Sequence, residues 1–569
     1  MPARSPSKAR AVFAGESRCK RSHTKQHTSD GVTLRWLSCG GTRLRLVKFF
    51  APGEECLLGK KHQPVKKAGA EVSMKRIAFY ALDAARSRGA SYADVRVIET
   101  KYQTIETKNL DVAGVNNHEF LNLGVRVLVN GGWGFAAAAS LSNAGISKAV
   151  DRAIEAARVS SRCLSRDQRV VLAPVEKHEA TWNSPCITDP FAVSLETKVG
   201  ILLAAAKIMR RRKHIDLTTG QMTFSRDRKL FVSSVGSCIE QNIISSGCGM
   251  DASGFDEDGR YQTRSYPTSF GGQYANSGYE LIEQWDLVGN AERIAEEAME
   301  LCAAPVCPEI TTNVILESSQ LGLQIHESCG HATEGDRALG EEVNYAGTTF
   351  LLPNLRGKLQ YGSKIVNLVA DATIPGGLGS YGFDDEGVPG QRIELISQGQ
   401  FVGYQTSRET AHKLKTGRSS GGMRAESASF TPLIRMSNVS LLEGDGGTES
   451  DLIGDVTKGI YLATNRSWSI DDRRLNFQFG VEYAREIKKG KLGKVYRDAS
   501  YYGMTPKFWG NCVRICSSGG TVWGVPNCGK AQPCQSIGTG HGAPPALFRR
   551  TKVGVAIPTF KPRKRACAQ

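Results

Sequence analysis

Ile146, Ala149, Val150, Ala153, Ile154 and Ala157 fall at i, i+3, i+4, i+7, i+8 and i+11. That spacing lines apolar side chains along one stripe of an α-helix and on no single face of a strand. The stripe must be buried against another element. The residues before it supply one, because 93–107, 110–115, 120–129 and 133–138 alternate as strands do, behind a short helix at 74–88. The succession then returns. A helix covers 194–209, strand-like segments run from 214 to about 270, and a helix over 287–302 puts Ala291, Ile294, Ala295, Ala298 and Cys302 on one face. The reading is a domain of helices packed on an antiparallel sheet, with the outline of a duplicated helix–four strands–helix plan.

The texture changes after the linker at 302–310, CAAPVCPEI. Glycine, 61 of 569 residues, exceeds the usual ~7% and from Thr311 onward punctuates short strands. Segments 391–397 and 401–406 flank Gln398-Gly399-Gln400, and 483–488 and 491–496 flank Lys489-Gly490, two hairpin signatures. The fold class is therefore α+β. An N-terminal α/β domain (74–305) precedes a mainly antiparallel β domain (306–557) that carries one important helix.

Charge narrows the function. The formal charge is +17, but residues 1–73 carry +10, residues 549–569 carry +7, and the remainder is neutral. A nucleic-acid-binding body is thus disfavoured. Residues 1–73 read as a basic, disordered extension and 558–569 as a basic tail. The chain has no apolar run of ~18 residues and no secretory h-region. With no such signal the 15 cysteines read as reduced thiols, some of them candidate metal ligands, and the expected compartment is the cytoplasm. No membrane association is expected.

The helix that follows 313–316 holds His326-Glu327-Ser328-Cys329-Gly330-His331, with Ser318 and Ser319 as N-cap candidates. Two imidazoles with a carboxylate between them suit a catalytic zinc, the rings as ligands and Glu327 as the base that takes a proton from water. The spacing is unusual. Histidines at i and i+4 lie about 40° apart around a helix, and at i and i+5 about 140° apart. One ion can be chelated here only if the helix takes up an extra residue as a π-bulge, which Gly330 would ease. Candidates for a third ligand are Glu334, Asp336, Glu341 and Glu342 nearby, and the cluster Cys512, Cys516, Cys528 and Cys534 farther on.

HESCGHATEGD resembles the HExxxH signature of the TldD/PmbA family, in its TldD-like branch. GSYGFDDEGVPGQRIELI from Gly379, GYQTSRETA from Gly403, SIDDRRLNFQFGVEYAREIKKGKLG from Ser469 and VPNCGKAQPCQSIGTGHGAPPALFR near the end resemble other stretches of the family, in order, over about 74–555. The resemblance implies a zinc metallopeptidase (Zn2+ held by His326, His331 and Cys528, with Glu327 catalytic) acting on peptides or unfolded polypeptides in an enclosed site. It also implies assembly with a homologous PmbA/TldE-like subunit that lacks the motif, or with itself. Cys534 stands where relatives carry Gly, and a second thiol there could compete for zinc or form a disulfide.

Three further features remain. His541, in GTGHGAPP, is a candidate to orient a ligand or to donate to an oxyanion. The loop 376–390 lacks the Lys-Ser/Thr of a phosphate loop, and is placed beside the substrate channel. Its Asp384, Asp385 and Glu386 read as a solvated acidic turn. The competing functional reading is a non-catalytic regulatory protein acting through its basic termini on nucleic acid or another acidic partner.

Overall fold

The computed structural model describes residues 73–345 and 347–555. The expectations for 1–72 and for the tail 558–569 lie outside these residues. Helix α1 (Met74–Ser87) starts where Ser73 caps the Arg76 amide, and it buries Ile77, Ala78, Ala81, Leu82 and Ala85. Strands β1 (Tyr92–Lys108), β2 (Asp111–Val129) and β3 (Gly132–Ala137) lead to α2 (Asn143–Cys163). All six residues of the predicted α2 stripe are buried.

The expected segments 110–115 and 120–129 are one strand, paired with β1 from Leu128 opposite Tyr92 to Asp111 opposite Lys108. Its middle is exposed, so no apolar alternation marks it. Polar side chains bond across the ladder there instead, Gln103 Nε2 to Asn117 Oδ1 at 2.8 Å and Asn116 Nδ2 to Thr104 Oγ1 at 3.3 Å.

The next elements are β4 (Glu179–Asn183), α3 (Leu195–Met209), β5 (Leu217–Ser233), β6 (Cys238–Phe255), β7 (Tyr261–Tyr266), β8 (Gln273–Ala275), α4 (Glu280–Trp285) and α5 (Leu287–Ala303). The sheet order is β3-β2-β1-β5-β6-β4, with β7 and β8 also on β6. The duplicated plan is visible as α1-β1-β2-β3-α2 and α3-β5-β6-β7-α5, joined where β1 and β5 run antiparallel side by side. Each pass contributes three principal strands, not four. One apolar core gathers α1 and α2 on one part of the sheet, and another gathers α3 and α5. At the end of α3, Arg210 is the C-cap and Arg212 pairs with Glu292 and Glu296.

The second half holds two main sheets. A seven-stranded one contains β9 (Ile310–Leu316) between strands Lys458–Ile470 and Ala546–Val555. A six-stranded one contains strands Leu368–Asp371, Arg392–Ser397, Asn438–Leu441, Gln535–Gly542 and, at its end, Val522–Lys530. Most pairings are antiparallel, and both predicted hairpins form. Gln398-Gly399 and Lys489-Gly490 all have positive φ, the left-handed pair that a two-residue hairpin loop needs.

Both halves belong to one compact unit. The acidic turn lies between them and is not solvated. Asp384, Asp385 and Glu386 are each at most 2% exposed. Asp385 pairs with Arg96 and Lys229 of the first half. Glu386 pairs with Arg126, which also holds Asp94 at 2.7 Å. Burial acts to raise the Asp385 carboxyl, and the opposing cations Lys229 and Arg96 leave it below its usual value. Asp385 and Glu386 are an electrostatic rivet between halves, a role that only long-range pairing reveals, while Asp384 accepts from the Glu386, Val388 and Met423 amides within its own half. Among the described residues no helix is long and apolar enough to cross a membrane.

Candidate active site

β9 delivers the chain into α6 (Ser318–Ile325), whose N-cap is Glu317 rather than Ser318 or Ser319. Both serines are engaged elsewhere. Ser318 accepts from Trp523 Nε1 at 2.8 Å, and Ser319 donates to the Glu317 carboxylate at 2.6 Å. From His326 to Gly330 the helix widens into a π-turn, in which the His331 amide donates to the His326 carbonyl. The expected bulge is therefore present, and it brings the two imidazoles to 4.8 Å between ring centres at 87°.

Side chains secure the widened turn. Gln405 Nε2 donates to the Gly330 carbonyl at 3.0 Å, Thr333 Oγ1 to that of Cys329 at 2.9 Å, and Tyr361 OH to that of Ser328 at 3.1 Å. Gly330 has ordinary helical angles, φ −53° and ψ −63°. Its part is room, not flexibility, because a Cβ there would lie 2.1 Å from Met436 Sδ.

Strand Val522–Lys530 brings in the third group. Cys528 Sγ lies 3.5 Å from His326 Nε2 and 3.6 Å from His331 Nε2. Zinc bonds of ~2.05 Å to nitrogen and ~2.3 Å to sulfur at a tetrahedral angle place N and S about 3.6 Å apart. The Cys/His donor set and its spacing therefore fit zinc. All three residues are buried, and among the described residues they are the one group of three or more metal-ligating types close enough to share an ion.

The other third-ligand candidates separate. Glu334 accepts from His331, Asp336 is held by Lys530 at 2.7 Å, Glu341 is exposed on Lys413, and Glu342 is buried outside the trio. Cys512 and Cys516 sit in apolar cores. Cys534 is exposed, and its Sγ lies 3.3 Å from where a Gly529 Cβ would be. Alternation along a strand sends Cys528 to the opposite face from residue 529. Cys534 thus points away from the trio, which removes the expected competition for zinc.

Hydrogen bonds preset the ring tautomers. His541 Nδ1 faces the Val439 carbonyl at 3.0 Å, which can only accept, so Nδ1 carries the proton and Nε2 is a lone pair. That lone pair accepts from His326 Nδ1 at 2.7 Å, which leaves His326 Nε2 bare towards Cys528. Glu334 Oε2 does the same for His331, accepting from Nδ1 at 3.0 Å, and is itself held by Arg337 Nε at 2.7 Å and Lys530 Nζ at 3.4 Å. Of the two roles open to His541, the geometry selects ligand orientation, since it is buried with both nitrogens engaged.

The electrostatics agree. Burial lowers the pKa of His326 and of His331 and drives that of His541 far down, favouring neutral rings. Burial acts to raise the Cys528 thiol, but His331 and Arg435 overcome it and leave the thiol below its usual value. Burial likewise opposes ionisation of Glu334, and Lys530, His331 and Arg337 hold it well below the carboxylate range.

Glu327 shares the π-turn and receives a hydrogen bond from Arg474 Nη1 at 2.8 Å. Sequence reasoning missed Arg474. It sits in the turn between strands Lys458–Ile470 and Asn476–Lys488, with φ 61°, inside the family-like stretch from Ser469, where nothing sets it apart from its neighbour Arg473. His326, Glu327, His331, Cys528 and Arg474 all open on one cavity of about 510 Å³. The loop 376–390 does not line it. Phe270 from the first half does, as do Asn465, Trp468 and Trp523 from the second.

Residues 309–554 match the model of the PmbA/TldA metallopeptidase C-terminal domain, and 93–157 match that of PmbA/TldA metallopeptidase domain 1. A metalloprotease of Methanocaldococcus jannaschii is 30% identical over 414 residues, covering 72% of this chain and 86% of that protein. The chain belongs to the TldD/PmbA family. A relative from Saccharolobus solfataricus, 25% identical over 42% of this chain and 51% of its own, is named a zinc metalloprotease TldD homolog. The crystal structure of TldE from Thermococcus kodakarensis superposes with a TM-score of 0.62 over 84% of this chain and all of that one, at 14% identity, and so shares the α+β fold. Family membership makes this chain a metallopeptidase relative, with its candidate metal trio inside the C-terminal family domain.

Proposed function

We propose that this chain hydrolyses peptide bonds with a zinc ion held by His326, His331 and Cys528, and that Glu327 is its catalytic carboxylate. The observation that carries the reading is the convergence of two bare imidazole nitrogens and one thiol sulfur at tetrahedral-zinc spacing on a cavity that also holds Glu327. Bound zinc would polarise a carbonyl and lower the pKa of a water towards ~7. Glu327 takes the proton of the attacking water and passes it to the leaving amine. Arg474 fixes the carboxylate by its ion pair, so Glu327 needs no reorganisation before it acts. His541 and Glu334 hold the ligand rings.

The site suits peptides or unfolded polypeptides, because a space of about 510 Å³ takes an extended segment of chain and not a folded domain. A homologous subunit or a second copy is the expected partner. The alternative, regulation through the basic termini, has no observation among the described residues in its favour. In the test, Glu327→Ala keeps about one zinc per chain and loses peptide cleavage. Wild-type cleavage by that variant would reject the mechanism.

A further inference from the structure

Three further side chains that line the same cavity carry features that the proposed chemistry leaves unused. Phe270 and Trp468 are 48% and 47% exposed, although large aromatics are normally well buried. Their rings meet edge to face, 5.3 Å between centres. They come from different halves of the chain, Phe270 from the loop between β7 and β8 and Trp468 from strand Lys458–Ile470. Asn465 of that same strand is 4% exposed, and its amide nitrogen donates to the Ser467 and Gly480 carbonyls. Its Oδ1 is buried with no hydrogen-bond partner. A buried acceptor left unpaired is costly.

The backbone is strained at Phe270 and at the neighbour of Asn465. Phe270 has φ 56° and Thr464, a β-branched residue, has φ 59°. A left-handed conformation is a genuine outlier for such residues, and strain of this kind gathers where side chains must be aimed at a ligand. The ladder slips a register between Asn465 and Ser467, a bulge of the sort that re-aims side chains beside a site.

We propose that Phe270, Trp468 and Asn465 form the subsite for the substrate residue beside the scissile bond. The ring pair takes an apolar side chain, and Asn465 Oδ1 accepts that residue's backbone N–H. The substrate class is then a peptide with an apolar residue next to the cut, a specificity that rests on the peptidase reading.

The test uses the zinc-loaded full chain and peptides that differ at one position, Gly, Ala, Leu or Phe, walked along the sequence. At one position beside the cut, wild type should favour Leu or Phe over Gly in kcat/KM by roughly 10- to 200-fold. Trp468→Ala and Phe270→Ala should each reduce that ratio at that position and at no other. N-methylation of the same residue should slow wild type, with no added penalty in Asn465→Leu. An undiminished ratio in both aromatic variants overturns the subsite, as does a changed oligomeric state with the ratio intact, which would make the rings an interface. If wild type cleaves no peptide at all, the peptidase reading fails first, a result distinct from cleavage without preference.

Discussion

Replacing His541 by Ala removes the acceptor of the His326 Nδ1 proton while leaving every proposed ligand in place. His326 is 4% exposed, so no bulk water replaces that acceptor. Leaving a buried N–H unpaired costs about 1–3 kcal/mol. The ring can avoid the cost by moving its proton to Nε2, but that nitrogen then cannot ligate. Either way metal binding bears the loss, roughly 5- to 150-fold in affinity at about 1.4 kcal/mol per decade, in line with the 10- to 100-fold typical of such outer partners. The assay is zinc competition against a chromophoric chelator at fixed pH. His541→Gln, whose amide oxygen can accept, should recover part of the affinity. A folded His541→Ala protein that binds zinc as tightly as wild type, but turns over more slowly, would refute the orienting role and favour direct contact with the reacting carbonyl.

Other outcomes follow from the same structure. Asp385→Asn leaves Arg96 and Lys229 without their buried counter-charge and should destabilise the chain by about 3–5 kcal/mol in chemical denaturation; an unchanged midpoint would remove the rivet. Burial lowers the pKa of His326, His331 and His541, so in the metal-free folded chain they stay neutral while the unfolded chain takes up protons below ~6.5. Stability present above that pH should fall on acidification, and His541→Ala should reduce the slope by up to ~1.4 kcal/mol per pH unit; identical pH profiles of melting temperature would contradict this. Cys534→Ser should keep its zinc and Cys528→Ser should lose it, measured by metal analysis after dialysis; equal loss in both would remove the assignment of opposite strand faces.

Local patterns carried much of the fold. The stripe of α2, the two Xaa-Gly hairpins and the π-turn were legible, because helical periodicity, left-handed turn residues and the angular spacing of His326 and His331 are all short-range properties. Strand β2 was read as two segments because its exposed middle follows no apolar alternation. Glu317 was missed as a cap because both following serines look better suited until Trp523 is seen to occupy one of them. The ion pairs of Asp385 and Glu386 and that of Arg474 escaped for one shared reason. Their charged partners lie 147 or more residues away in sequence, and charge alone does not distinguish a buried ion pair from a solvated one.

X-ray absorption at the zinc edge of the loaded protein reads the proposed centre most directly. One zinc per chain should show one sulfur at ~2.3 Å and two imidazole nitrogens at ~2.0–2.1 Å, and the sulfur shell should vanish in Cys528→Ser. A sulfur-free wild-type shell, or one with two sulfurs, would contradict the His326, His331 and Cys528 site.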